Sequence, residues 1–304
     1  MSTAIDLIPE REQQARSERT GLLEQGALRA AARTHRGAVR KDNQDAFLCA
    51  IESGLFAVID GMGGQKGGRR AAELTREALL DQNEPVKGLL LANERIYEAS
   101  AKDEELQGMG CVASAVHVAK GAVRIAHVGD TRVYLASSAG CEQLTSDHTL
   151  AASMQERLGL SHHGARSLGG RNQITRDIGG KPREDMSWID RMEVPLEQGA
   201  LLLLCSDGLY HTIGADDLFA RLRRAQREDV SAERFVDDLV ELALQKGAPD
   251  NVTAVVVKQE GALAQGDAAP RAGADGVLQR LGRAVIPFLL GCALGLALAE
   301  RYLP

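Results

Sequence analysis

The sequence predicts an α+β domain built from antiparallel sheets. Apolar, β-branched segments follow one another without long helices between them, and a short turn, Ala119-Lys120-Gly121, separates two of them as in a hairpin. Strands that succeed one another so directly favour antiparallel sheets over a doubly wound parallel sheet. The segments predicted as strands are Leu55–Ile59, Ala113–Val118, Val123–Val128, Arg132–Leu135, Ala200–Cys205 and Val252–Val257.

Helical periodicity supplies the other half of this prediction. In four segments, apolar residues recur every three or four positions, with polar residues between them. These segments are Arg69–Leu80, Val86–Ala99, Ala215–Arg224 and Ala232–Gln245. Helices with one apolar face are expected to pack on sheets, which completes the α+β assignment.

Composition divides the 304 residues into four regions. Residues 1–28, rich in Glu, Gln and Arg, are predicted to form an N-terminal arm, and residues 29–258 to form the folded domain. Residues 259–280 are rich in Ala, Gly and Pro and are predicted to be a flexible linker. Residues 281–304 are predicted to be a transmembrane tail anchor.

The anchor prediction depends on the uncharged run Ala284–Ala299. As a helix these residues would span about 24 Å at roughly 1.5 Å per residue, slightly less than a bilayer core of about 30 Å. Arg280 and Arg283 precede the run, which favours a cytoplasmic catalytic domain held at the inner membrane. The alternative is a C-terminal apolar helix that packs on protein.

Charge and cysteine content narrow the classes of function. The net charge of −6 gives no basic field for nucleic acid. Five cysteines without CxxC spacing indicate reduced thiols in a cytosolic protein, with Cys111 and Cys205 placed in the core. The first residues contain no apolar run, so we expect no secretory signal.

Aspartates beside the predicted strands carry the chemical information. Asp60, Asp130 and Asp207 follow apolar runs, Asp250 precedes one, and Asp45 lies in a polar segment upstream. A single Asp-Gly pair is equally well explained as a turn. Several carboxylates at strand ends favour a cation instead, because a buried carboxylate without a partner is costly.

These motifs and others resemble the metal-dependent protein phosphatases of type 2C, in their bacterial form. The matching segments, in the order of the family, are Arg40-x-x-Asn43-Gln44-Asp45, Asp60-Gly61-Met62-Gly63-Gly64, Gly108-Met109-Gly110, Gly129-Asp130-Thr131-Arg132, Leu144-Thr145-x-Asp147-His148, Ser206-Asp207-Gly208-Leu209 and Asp250-Asn251-x-Thr253. The resemblance implies an α-β-β-α sandwich, with metals bound between the ends of two antiparallel sheets.

The resemblance also implies the metal ligands. Asp60 would bridge two ions, and the carbonyl of Gly61 and the carboxylate of Asp45 would complete one of them. Asp207 and Asp250 would hold the other. A site of carboxylates, carbonyls and water selects Mg²⁺ or Mn²⁺ over Zn²⁺.

Two further residues are assigned by the same resemblance. Asp130, together with Asp207, would hold a third and weaker ion, so that two to three ions are expected. Arg40 would bind the substrate phosphate, because its planar fork matches two phosphate oxygens.

The implied activity is the hydrolysis of phosphoserine and phosphothreonine on proteins by a metal-activated water. Phosphorylated proteins and a cognate Ser/Thr kinase are the expected partners. The alternative is a phosphatase-like binding module with weak turnover. Gln65 favours the alternative, because the family has histidine there and glutamine cannot act as a general acid.

Three smaller features have competing interpretations. The glycines of residues 60–68 suggest a nucleotide loop, but Lys66 is followed by Gly67 instead of Ser or Thr. Asp147-His148 is either a metal pair or a structural element of the turn into the next segment. His162 and His163 lie in a segment resembling a mobile flap, residues 149–170, where they are either solvated or in contact with substrate.

Overall fold

Two antiparallel sheets of five strands lie face to face in the computed structural model, which describes residues 28–64, 66–158, 173–183 and 185–260. In spatial order the first sheet contains β1 (Leu28–His35), β10 (Val252–Gln259), β9 (Leu201–Cys205), β6 (Arg132–Ser137) and β7 (Gly140–Gln143). The second contains β2 (Asp45–Ala50), β3 (Leu55–Met62), β4 (Gly110–Ala119), β5 (Ala122–Val128) and β8 (Asp190–Pro195).

Helices cover the outer face of each sheet. Those on the second sheet are α1 (Gly67–Gln82) and α2 (Pro85–Lys102). Those on the first sheet are α4 (Asp207–Ile213), α5 (Ala215–Arg227) and α6 (Ala232–Gln245). A further helix, α3 (Leu150–Leu158), follows β7, and a short 3₁₀ helix occupies Glu104–Leu106. The layers are therefore α-β-β-α, as the family resemblance implies.

The alternation of side chains along a strand explains why both faces of each sheet are buried. In β9, Leu201 and Leu203 pack against the helices, whereas Leu202 and Leu204 face the other sheet. All four are fully buried, and each contributes about 1.5–3 kcal/mol to the free energy of folding by this transfer. An uninterrupted apolar run is what a strand with helices on one face and a sheet on the other requires.

All six predicted strands and all four predicted helices correspond to observed elements, but four strands were not predicted. These are β1, β2, β7 and β8. β8 alternates between partly buried and exposed positions at a sheet edge, so it lacks the apolar run by which the others are recognised. β1 begins at Leu28, which had been assigned to the N-terminal arm.

Several predictions concern residues outside the described part of the chain. They include residues 1–27 of the arm, Gln65, His162, His163 and residues 261–304 with most of the linker and the whole anchor. Within the described ranges, no helix is long and apolar enough to cross a bilayer.

Candidate metal centre

Antiparallel pairing brings Asp45 and Asp60 together. Asp45 is the first residue of β2, and its partner in the register of β3 is Asp60. Asp60 lies two residues before the end of β3 and not at its last position, so Gly61 also belongs to the strand, where it pairs with Cys111 of β4. Two carboxylates on neighbouring strands are therefore held side by side.

The first sheet contributes Asp207 and Asp250 to the same place. Asp207 begins α4 and is separated from β9 only by Ser206, and Asp250 stands two residues before β10. The two sheets are joined here by hydroxyl groups: Ser206 and Thr253 donate to Oδ2 of Asp45 at 2.8 and 2.6 Å. Neither hydroxyl was predicted from the sequence as part of the site, although both lie inside the matching motifs.

Asn251 forms hydrogen bonds that hold the polar segment before β2 against the place where the two sheets meet. Its Oδ1 accepts from the backbone N–H of Gln44 at 2.9 Å. Its Nδ2 donates to the carbonyls of Arg36 and Asp42, both at 2.9 Å. Because Asn251 follows Asp250, one short segment both supplies a carboxylate and positions the start of β2.

A glycine in α1 allows the start of that helix to lie close to the carbonyl of Gly61. A Cβ at Gly68 would lie 2.8 Å from the oxygen of Gly61 and 2.7 Å from Oε1 of Gln44. Such contacts are too short for any side chain, so the start of α1 can approach the strand only because residue 68 is glycine.

The electrostatics of the site are those of carboxylates crowded together. Burial raises the pKa of Asp45 to about 7, against hydrogen bonds from Thr253 and Ser206 that lower it, and Asp207 and Asp250 raise it further. Burial also raises the pKa of Asp60 well above its ordinary value, and the neighbouring carboxylates add to the rise. The protein therefore holds negative charge at this point against strong repulsion.

Asp130, on the turn between β5 and β6, belongs to the same electrostatic group. It is buried, and this burial, followed by the charges of Asp207 and Asp147, raises its pKa to about 7. Asp130 in turn raises the pKa of Asp60. The structure thus brings together all five carboxylates that the sequence singles out.

One oxygen of the site suits a cation particularly well. Oδ1 of Asp45 is buried and has no hydrogen-bond partner in the part of the chain that the structure describes. A buried carboxylate oxygen without a donor is rare in folded proteins. Oxygen ligands of this kind fit a hard divalent cation such as Mg²⁺ or Mn²⁺.

The carboxylates do not converge on a single point in this conformation. Across residues 28–64, 66–158, 173–183 and 185–260, no three Asp, Glu, His or Cys side chains are placed to ligate one ion together. Asp45 is turned to its two hydroxyl donors, and Asp250 to Arg40. Oδ1 of Asp45 is already without a donor among the described residues, whereas Asp250 would have to leave Arg40 before it could share an ion with the other carboxylates.

Arg40 lies at the exposed rim of the site. Its Nη2 donates to Oδ2 of Asp250 at 2.6 Å, and about half of its side chain is exposed to solvent. This hydrogen bond is the main cause of a raised Arg40 pKa, to which the charges of Asp250, Asp60 and Asp207 add. An exposed guanidinium attracted by the carboxylates is well placed to meet an incoming anion.

Within the described residues, the pair Asp147-His148 and the two core cysteines have structural roles. Asp147 accepts two hydrogen bonds from Arg132, at 2.8 and 2.7 Å, and His148 contacts Gly129 and Asp190. This agrees with the structural interpretation of that pair. Burial raises the pKa of the Cys111 thiol to about 12, and Cys205 is fully buried as well, so both are core residues as predicted.

The chain is similar to known proteins over most of its length. The protein phosphatase 2C family model matches residues 32–256. The serine/threonine protein phosphatase PstP of Mycobacterium tuberculosis is 33% identical over 239 residues, which cover 75% of this chain but only 44% of that protein. The serine/threonine phosphatase stp of Listeria monocytogenes is 29% identical over 250 residues, covering 77% of this chain and 96% of that protein.

Solved structures show the same fold. The crystal structure of the M. tuberculosis phosphatase PstP/Ppp has a TM-score of 0.68 at 30% identity, covering 77% of this chain and 99% of that one. The catalytic domain of PstP in complex with two manganese ions has a TM-score of 0.67 at 30% identity, with the same coverage. From the matched motifs, the sandwich fold and these relatives, we conclude that the chain belongs to the protein phosphatase 2C family, which comprises metal-dependent serine/threonine phosphatases.

Proposed function

We propose that this chain hydrolyses phosphoserine and phosphothreonine on proteins with the help of two Mg²⁺ or Mn²⁺ ions, and a third that binds more weakly. Asp60, Asp45 and the carbonyl of Gly61 would hold one ion, and Asp60, Asp207 and Asp250 the other. Asp130, together with Asp207, would hold the third. The observation that carries this proposal is the buried, unpartnered Oδ1 of Asp45 among four other carboxylates. The relative whose structure contains two manganese ions supports it.

The first contribution of the protein to the mechanism is the negative charge of its carboxylates. At neutral pH the crowded carboxylates repel one another, and the raised pKa values of Asp45, Asp60 and Asp130 indicate that their ionisation is unfavourable without a counter-charge. Divalent ions bound here would supply that counter-charge, a water nucleophile deprotonated near neutral pH, and an electrophile for the phosphoryl oxygens. The residues contribute a set of oxygen ligands at the ends of the two sheets.

Arg40 would recognise the phosphate. It is paired with Asp250 at 2.6 Å, and an ion at Asp250 would compete for that carboxylate and release the guanidinium. The released fork can donate two hydrogen bonds to one phosphate group, which stabilises charge as the phosphoester bond breaks. Since Arg40 is largely exposed, it is accessible to a phosphorylated segment of another protein.

The test is turnover of a phosphothreonine peptide as a function of Mn²⁺, with EDTA as the reversal. Wild-type protein should be inactive in EDTA and active in Mn²⁺. Asp60→Asn and Asp207→Asn should remain inactive at saturating Mn²⁺ while retaining their circular dichroism spectrum. Asp81→Asn is the matched control, since Asp81 is exposed and pairs with Arg95 away from the site. Near-native turnover by Asp60→Asn would refute the metal assignment.

A binding module is the second candidate, and Gln65 is the feature that favours it. If a missing general acid limits turnover, aryl phosphates with good leaving groups should be cleaved well and phosphopeptides poorly. Gln65→His should then increase phosphopeptide turnover more than aryl phosphate turnover. Phosphopeptide binding without turnover in either protein would establish the binding module instead.

A membrane location and a kinase partner extend the proposal. The uncharged run Ala284–Ala299 after Arg280 and Arg283 supports a tail anchor at the inner membrane, with the catalytic domain in the cytoplasm. A Ser/Thr kinase that phosphorylates the same targets would be its counterpart. Carbonate extraction of the full-length protein, beside a version that ends at Lys258, tests the anchor. Recovery of the full-length protein entirely in the extracted fraction would exclude it.

A further inference from the structure

The turn that carries Asp130 has an unusual backbone. Gly129 has φ +102°, and a Cβ there would lie 2.1 Å from the side chain of Val112 in β4. The turn therefore packs tightly on the second sheet and has no side chain of its own at residue 129. Contacts from elsewhere in the chain also hold the backbone of this turn in place.

His148 supplies contacts to both backbone groups of Gly129. Its backbone N–H donates to the carbonyl of Gly129 at 2.7 Å, and the N–H of Gly129 donates to Nδ1 of His148 at 3.0 Å. Because Nδ1 accepts, Nε2 carries the proton, and it donates to Oδ2 of Asp190 at 3.0 Å. Nη1 of Arg176 donates to the other oxygen of Asp190 at 2.7 Å and also lies 3.0 Å from Nε2 of His148, where two N–H groups cannot bond each other. The histidine is thus held in one tautomer and one orientation.

Tyr210 holds the other side of the turn. Its hydroxyl donates to the carbonyl of Asp130 at 3.0 Å. The guanidinium of Arg132 lies 3.6 Å from the centre of the Tyr210 ring and donates to both carboxylate oxygens of Asp147. Asp147 is the neighbour of His148, so the contacts close into a ring around the turn. We call His148, Tyr210, Arg132 and Asp147 the Asp130 clamp.

We propose that His148 and Tyr210 are positioning residues for Asp130 and that they set the affinity of the weakest metal site. This inference rests on the proposed function, which assigns Asp130 to that site. His148 and Tyr210 are both buried, and their side-chain polar atoms form hydrogen bonds with the backbone of the turn or with Asp190. Partners that orient a metal ligand commonly change metal affinity by roughly 10–100-fold when they are removed.

Two substitutions of His148, by asparagine and by glutamine, separate the roles of its two ring nitrogens. In His148→Asn, Oδ1 can take the place of Nδ1 and accept from Gly129. In His148→Gln, the amide reaches towards Asp190 but leaves the Gly129 N–H without its acceptor. Tyr210→Phe removes a single hydroxyl and keeps the ring under Arg132, so it perturbs packing least.

The experiment is a titration of the full-length protein with Mn²⁺ in the absence of substrate, followed by the electron paramagnetic resonance signal of free Mn²⁺. Asp130→Asn should lose the weakest class of bound ion. His148→Gln and Tyr210→Phe should raise the dissociation constant of that class by about tenfold or more. His148→Asn should stay within about threefold of wild type, because the hydrogen bond from Gly129 is kept. The tighter ions should be unaffected in all of these variants.

Other outcomes separate this inference from the proposed function. If His148→Gln and Tyr210→Phe titrate like wild type while Asp130→Asn does not, the clamp does not position the ligand. Equal weakening in His148→Asn and His148→Gln would overturn the role of Nδ1. An Asp130→Asn titration identical to wild type would overturn the inference and leave the two-ion proposal standing. A wild-type protein that binds no Mn²⁺ would overturn both. If His148→Gln does not fold, as judged by circular dichroism, Tyr210→Phe decides the question.

Discussion

Asp45 and Asp130 are both carboxylates whose pKa burial raises to about 7, yet the protein surrounds them differently. At Asp45 the side chain is held, since two hydroxyls donate to one of its oxygens while the other has no partner. At Asp130 the backbone is held, by Tyr210 at its own carbonyl and by His148 at the preceding residue.

The difference shows where the fold alone is sufficient and where a ligand is needed. The Asp130 turn has its backbone groups satisfied by protein, so its shape does not depend on an ion. The Asp45–Asp60 pair brings repelling charges onto adjacent strands and leaves an oxygen unsatisfied, which costs free energy until a cation binds. The Asp130 site should therefore only modulate activity, whereas the Asp45–Asp60 site should be required for it.

The largest expected effect tests that distinction directly. Asp60→Asn should lower kcat/KM for a phosphothreonine peptide by about a thousandfold, because the loss of bound-ion chemistry removes several kcal/mol of transition-state stabilisation. Asp130→Asn should lower kcat/KM by less than about tenfold at saturating Mn²⁺, because the weakest ion only modulates the activity that the two tighter ions support. Steady-state kinetics on both variants provide the measurement. Comparable losses in the two variants would erase the proposed difference between the sites.

A smaller effect is expected at the rim. Arg40→Ala removes a charged hydrogen-bond donor to the phosphate and should lower kcat/KM by roughly 10–100-fold, as expected for such bonds. Stability should change by no more than about 1 kcal/mol, because the Arg40–Asp250 pair is partly exposed to solvent. Peptide kinetics and urea unfolding of the same preparations check both statements. A large loss of stability with unchanged kinetics would make Arg40 a structural residue.

Ser206 tests whether the hydroxyl groups that hold the Asp45 side chain matter for ion binding. Ser206→Ala removes one donor to Asp45 and the acceptor of the Thr253 N–H at 3.0 Å. We expect the apparent affinity for activating Mn²⁺ to fall by about tenfold, with kcat at saturating Mn²⁺ largely retained. The Mn²⁺ dependence of turnover is the measurement, with Ser187→Ala, on the exposed segment before β8, as the control. An unchanged Mn²⁺ dependence would mean that Asp45 is held sufficiently by Thr253.

The smallest effect concerns the stability of the metal-free protein. The folded-state pKa of Asp45, about 7, is raised above its ordinary value of 3.8. The folded protein therefore binds more protons than the unfolded chain between these two values, and the contribution of Asp45 to stability falls as pH rises through this window. In EDTA, Asp45→Asn should be similar to wild type near pH 4 and more stable near pH 7.

Thermal unfolding across this pH range checks the prediction. Each kcal/mol of relieved repulsion should raise Tm by roughly 2–4 °C in a domain of this size. Added Mn²⁺ should reverse the order of the two proteins, because only the wild type then gains from the ion. A wild type that is more stable than Asp45→Asn at pH 7 in EDTA would show that the hydroxyls already compensate the buried charge.

The sequence predicted the buried centre of this fold better than its edges. Strands such as β9 are apolar on both faces and are recognised by composition, whereas β8 is half exposed and β2 begins on a charged residue. Four of the aspartates were identified because each stands beside a recognisable strand, and Asp45 because it lies in one of the matching motifs. Their proximity could not be derived from the residues alone, since the register of Asp45 opposite Asp60 depends on β2, which was not predicted.

The supporting residues of the site were harder still to find. Tyr210 lies 80 residues from Asp130, and Ser206 lies 161 residues from Asp45. Neither residue has a local pattern that reveals its partner, because the contact exists only once the two sheets pack. The pair Asp147-His148 was singled out, but its link to Gly129 follows from tertiary structure.

The central claim is that the unpartnered oxygen of Asp45 marks a metal site, and anomalous diffraction from crystals grown with Mn²⁺ tests it most directly. The account predicts anomalous density at coordination distance from Oδ1 of Asp45 and from Asp60, and further density beside Asp207 and Asp250. The same crystals of Asp60→Asn should lose this density. Crystals of active protein with no anomalous density near Asp45 would contradict the account.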